Sequence, residues 1–216
     1  MLLNAIKGFF APRQKSRILD ASMTAQLKAY LGKLQNPVDV VASLDDSDKA
    51  RDMRALLAEL ALLSDKIVLR ADGHAERTPS FSIAASGQPA RIRFAGIPMG
   101  HEFTSLVLAL LHCGGHPPKI DAETRTKIQL LTGRYTFETY MTMSCHNCPD
   151  VVQALNLMAV LNPGVSHTMI DGSLFLAEID QHQIKVVPTV FLNGQFFDQG
   201  RKTVEQYLDK MIADAV

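Results

Sequence analysis

The chain has 216 residues, 22 Lys and Arg against 22 Asp and Glu, and so no formal net charge at neutral pH. That length allows one large domain or two small ones, and either can bury a core without disulfide staples. Zero net charge argues against a dedicated nucleic-acid binder, 47% hydrophobic residues against wholesale disorder, three cysteines against a disulfide scaffold, and the lack of any apolar run near ~18–20 residues against stable membrane insertion.

Residues 1–17 carry Lys7, Arg13, Lys15 and Arg17 and no acid. The apolar part precedes most of the charge, the reverse of a secretory signal. The segment reads as a loosely docked tail, with contact to an anionic surface or a partner as the alternative. From Asp20 the chain becomes regular. Leu27, Tyr30, Leu31 and Leu34 stand at helical spacing over Ala25–Leu34, and Asn36-Pro37 stops that helix. Val38–Leu44 is a β-branched strand. Asp45-Asp46-Ser47-Asp48 offers N-cap chemistry to a helix over Lys49–Leu63 with Met53, Leu56, Leu57 and Leu60 on one face. Short strands follow at Ile67–Leu69, Phe81–Ala84 and Arg91–Phe94, then an apolar helix over Glu102–Leu111. Gly114-Gly115 and Pro117-Pro118 mark a seam.

Beyond the seam the order recurs. Tyr135–Met143 is a strand and Ser144–Pro149 a turn. Asp150–Leu161 is a helix and Val165–Ile170 a strand. Pro188–Leu192 and Gln195–Phe197 form a hairpin on Asn193-Gly194, and Val204–Ile212 closes as a helix. Each half reads β-α-β, hairpin, α, with an extra helix expected only before the first. Val38–Leu44 aligns with Phe137–Met143, and Thr78-Pro79-Ser80-Phe81 with Val187-Pro188-Thr189-Val190. Agreement of strand, helix and proline positions together points to a duplication.

Cys145-His146-Asn147-Cys148 is the strongest chemical signal. It ends a strand and starts a helix, whose unpaired N–H groups and partial positive charge favour a thiolate. The spacing lets both sulfurs meet in one turn. Cys145 would be the exposed nucleophile and Cys148 the more buried resolving thiol. Pro149 suits a first helical turn. Pro188 is expected to be cis and to face the cysteines, freeing the backbone of Val187 to pair with a substrate chain. His146 either tunes the thiolate or is a bystander. The competing reading of Cys-x-x-Cys is half a zinc site, with His112, Cys113 and His116 as the other ligands. The first half has Asp45–Lys49 in place of the motif and cannot exchange thiols. Glu102 reads from sequence as a carboxylate at a helix start.

Several stretches carry a family resemblance: Ala25–Leu31, Ala42–Ser47, Gly100–Leu111, Gly114–Pro117, Phe137–Tyr140 and, most specifically, Ser144–Met158. Over roughly Leu19 to the C-terminus the chain resembles the N-terminal domain of the alkyl hydroperoxide reductase flavoprotein subunit. The resemblance implies an α/β fold class of two tandem thioredoxin-like folds, each a mixed central sheet flanked by helices. The expected organisation is a basic extension over 1–18, a redox-inactive half over 19–117 and a redox-active half over 118–216. It also implies electron transfer through Cys145 and Cys148 to a two-cysteine peroxiredoxin, with Glu102 as a residue that tunes the thiol. No Gly-x-Gly-x-x-Gly occurs, so no bound cofactor is expected beyond the redox-active disulfide. Electrons would come indirectly from NAD(P)H through a separate flavoprotein disulfide reductase. The expected location is the cytoplasm. A general disulfide reductase or isomerase, a docking module and a zinc-stabilised structural protein are the alternatives.

Overall fold

The computed structural model of the chain describes residues 18–213. The basic segment over 1–17 lies outside them. Where the description begins, the Glu59 carboxylate accepts the backbone N–H groups of Ile18 and Leu19 at 2.9 and 3.1 Å and anchors the chain to the second helix.

The elements in chain order are α1 (Ala21–Leu31), β1 (Val38–Ser43), α2 (Asp48–Ala61), β2 (Ile67–Arg70), β3 (Ser80–Ala85) and β4 (Ile92–Ala95). A 3-10 turn (Gly100–Glu102) leads into α3 (Phe103–Cys113). Then come α4 (Ala122–Leu130), β5 (Tyr135–Met141), α5 (Cys148–Leu161), β6 (Val165–Asp171), α6 (Leu176–Gln181), β7 (Thr189–Leu192), β8 (Gln195–Gln199) and α7 (Val204–Ala213). Short polar side chains cap three helices with the expected chemistry. Asp20 accepts the Met23 N–H, Ser47 the Ala50 N–H and Asp121 the Thr124 N–H.

All the strands join one eight-stranded mixed sheet in the order β2-β1-β3-β4-β6-β5-β7-β8. The first four repeat the order of the last four: a parallel pair, then two antiparallel strands. The halves fuse where β4 runs parallel to β6, with Ile92 opposite His167 and Ala95 opposite Ile170. The turn between β7 and β8 has both central residues at positive φ, Asn193 at 51° and Gly194 at 77°, as an Asn-Gly hairpin requires.

Two expectations need correction. The sequence points to an extra helix before the first half alone, but α1 and α4 precede both. It gives no sign of helix α6, between β6 and β7. In both cases the signal is weak for a physical reason. Among α4 residues only Thr124 and Ile128 are buried, and none is buried in the six-residue α6.

The main core lies between the sheet and α1, α2, α3, α5 and α7. Met53, Leu56, Leu60, Phe81, Phe94, Leu106, Leu110, Phe137, Leu155 and Met158 are almost fully buried there. Each such side chain contributes about 1.5–3 kcal/mol. The opposite face holds a smaller cluster of Ala95, Tyr140, Ile170 and Phe191 beside Ile179 of α6. One buried polar chain crosses the main core. His167 Nδ1 donates to Asn156 Oδ1 at 2.8 Å, and His167 Nε2 accepts from the Thr139 hydroxyl at 2.8 Å. Burial pushes His167 down to about 3, so it is neutral at physiological pH.

Candidate active site

The strand β5 delivers the chain to the site, and α5 takes it away. After Met141 the backbone turns, with the Cys145 N–H donating to the Thr142 carbonyl at 3.0 Å. Helix α5 starts at Cys148, with Pro149 in its first turn, where a missing N–H leaves nothing unpaired. Cys145 and Cys148 are joined in a disulfide with their Cα atoms 5.5 Å apart. Cys145 is partly exposed and Cys148 fully buried. That asymmetry gives one sulfur open to a partner and one shielded from it. Among first-turn residues, Asp150 would repel a thiolate, but Arg201 holds its carboxylate in an ion pair.

The Val187–Pro188 bond is cis. Pro188 is buried at the start of β7, and the Val187 carbonyl oxygen lies 3.9 Å from Cys145 Sγ. The structure therefore brings Cys145, Val187 and Pro188 to one place. Sequence reading misses Val186. It is half exposed, and its carbonyl accepts the Thr189 hydroxyl at 2.6 Å. The apolar run Val186-Val187 ahead of the proline is the available signal. An open apolar residue next to the cis proline suits apolar contact with an extended polypeptide.

The 3-10 turn before α3 closes the other side. Gly100 sits at φ 59°, and a Cβ there would be 3.6 Å from the Met143 carbonyl. Next to it, the exposed His101 and His146 rings lie 4.2 Å apart. His146 thus has a neighbour that the spacing of Cys145 and Cys148 could not reveal. Glu102 is fully buried, and neither carboxylate oxygen has a hydrogen-bond partner. Burial pushes it up to about 7, the Asp150 charge adds to the rise, and the nearby Ser105 hydroxyl pulls the other way without completing a hydrogen bond. A buried acid displaced toward neutrality can change its protonation state in that pH range.

The equivalent place in the first half has the backbone but not the chemistry. Its Thr78–Pro79 bond is also cis, and Ser47 caps α2 where a cysteine pair would stand. Cys113 is a free thiol whose burial pushes it up to about 12, far from a working nucleophile. Among the described residues no group of three or more His, Cys, Asp or Glu is arranged to hold a metal ion. No helix there is long and apolar enough to cross a membrane.

A cysteine pair opening a helix, with a cis proline against the accessible sulfur, defines a thioredoxin-like thiol–disulfide oxidoreductase. Residues 136–213 match the thioredoxin domain family. The alkyl hydroperoxide reductase AhpF of Pseudomonas aeruginosa is 56% identical over 90% of the chain, which spans 37% of that protein's length. A crystal structure of the N-terminal domain of the alkylhydroperoxide reductase AhpF from Enterococcus faecalis superposes with a TM-score of 0.81 at 31% identity, covering 88% of this chain and 98% of that one. A protein disulfide oxidoreductase from Aeropyrum pernix shares the fold, with a TM-score of 0.78 at 23% identity over 92% of this chain and 96% of that one. The chain belongs to the family of AhpF N-terminal domains.

Proposed function

We propose that the chain carries electrons from a flavoprotein disulfide reductase, itself fed by NAD(P)H, to the disulfide of a two-cysteine peroxiredoxin in the cytoplasm. The observation that carries this reading is the partly exposed Cys145 Sγ beside the Val187 carbonyl, with Cys148 buried behind it. The family likeness supplies the partners. Residues 19–117 and 118–216 are taken as the two units, on the repeat of strand order.

In the reduced form, the Cys145 thiolate attacks one sulfur of the partner disulfide. A mixed disulfide forms, and the other partner sulfur leaves as a thiolate that takes up a proton. The Cys148 thiolate then attacks Cys145 Sγ, and the second partner sulfur leaves and is protonated. Two electrons and two protons pass to the partner, and Cys145–Cys148 is restored as a disulfide. The open N-terminus of α5 stabilises the thiolates. Glu102 supplies or stores a proton for the thiol, and His146, in tilted contact with the His101 ring, faces the partner. Val187 and Pro188 hold the partner chain in extended form.

Trapping tests this directly. A Cys148→Ser variant should accumulate a mixed disulfide through Cys145 with a peroxiredoxin, identified by mass spectrometry, and Cys145→Ser should accumulate none. Electron transfer should fall more than about a thousandfold in Cys145→Ser, the usual scale for loss of a nucleophile. Capture of many unrelated proteins, or full activity in Cys145→Ser, would sink the reading.

A further inference from the structure

A cleft of about 650 Å³ opens on the helical face, and its lining contains none of Cys145, Cys148, Val187 and Pro188. It lies between α3 and α5, closed at one end by α1 and the seam loop and at the other by the approach to α7. Its volume is that of a small-molecule site. Neither the redox chemistry nor the duplication calls for it.

The cleft is chemically polar along its length. Leu108, Ala154 and Leu157 make an apolar trough between the two long helices. At the α7 end Arg201 is paired with Asp150 and Lys202 with Asp198, and Glu205 forms no ion pair among the described residues, so the free charge there is negative. At the seam end Lys33 and Lys119 line the mouth, and neither forms an ion pair with an acid among the described residues. Lys33 leans over the Tyr30 ring at 5.2 Å, which fixes its head at the opening. His112, on the same wall, is pushed by burial to about 4 and adds an uncharged surface at neutral pH. At the floor, Asn156 has its Oδ1 committed to His167, while its buried Nδ2 has no partner. An apolar trough ended by free cations complements an apolar body ended by an anion.

We propose that this cleft binds an amphipathic carboxylate, with its acyl or aryl chain between α3 and α5 and its carboxylate at Lys33 and Lys119.

Decanoate below its micellar concentration, titrated calorimetrically into the full chain, tests this. One saturable site is expected. A Lys33→Glu, Lys119→Glu double variant should weaken binding at least about tenfold, because attraction becomes repulsion at the mouth. Both lysines are at the surface, so this variant should keep the wild-type melting temperature. Ala154→Leu fills the trough and should weaken binding by a similar factor. Decanol should bind more weakly than decanoate. Equal binding by decanol, or unchanged affinity in the charge-reversed variant, would overturn the proposal. So would a failure to bind decanoate at millimolar concentration while an acidic peptide binds, or a stable dimer that closes the cleft.

Discussion

Glu102 is a carboxyl group with no hydrogen-bond partner and no exposure, next in the chain to His101, whose ring lies 4.2 Å from that of His146. Its pKa is raised from the ordinary carboxylate range to about 7. For an acid displaced upward, folded-state stability is complete below its unfolded value near 4.5 and is lost as pH rises through about 7. Glu102→Gln is therefore expected to raise stability above pH 7 by about 3 kcal/mol and to leave it unchanged below pH 4. Melting temperatures across that range check the sign; an equal gain at every pH would contradict it. The same variant should flatten the pH dependence of thiol exchange near neutrality. Cys145 and Cys148 are legible in the sequence because their spacing alone constrains the chemistry. Glu102 gains its reading from family likeness. Its burial depends on residues far away in the chain, and no local pattern encodes that.

Helix α5 carries the site and most of the packing around it. Val151, Val152, Leu155 and Met158 are fully buried beneath it. Leu155→Ala should cost about 2–5 kcal/mol, read from urea denaturation with the disulfide intact. A loss under about 1 kcal/mol would mean the neighbouring side chains collapse into the space. Long helices with such stripes are visible in sequence to within a few residues of their ends. The helices α4 and α6 are not, because they bury little and their order comes from neighbouring elements rather than from their own periodicity. The cis state of Pro188 is expected from its place before a hairpin strand. The matching cis bond at Pro79 is a finding of the structure.

At the scale of the molecule, two similar halves share one sheet. The joint is more than the β4–β6 pairing. Arg77, from the loop before β3, reaches across to Glu138 on β5 at 2.6 Å and Glu178 on α6 at 2.7 Å. Glu178 in turn accepts the Tyr140 hydroxyl at 2.6 Å. Burial disfavours the Arg77 charge, but its hydrogen bonds to Glu178 and Glu138 outweigh that and push it upward. Arg77→Met would leave two half-buried carboxylates side by side. It should destabilise the chain by about 3 kcal/mol in chemical denaturation. A cost below about 0.5 kcal/mol would place this cluster with ordinary surface pairs.

The sequence by itself determined the repeated order of elements, the helix-opening cysteine pair, the proline ahead of the hairpin strand and the Asp45–Lys49 stretch that stands in place of a cysteine pair in the first half. These are local facts of spacing and residue type, so they can be recognised without long-range contacts. Only the tertiary structure decided that the halves merge into one sheet, that His101 meets His146, that Glu102 is sealed from water and that Lys33 and Lys119 share a cleft mouth. Each of these joins residues distant in the chain, and only the packing of the whole sheet and its helices fixes their distance, burial and charge.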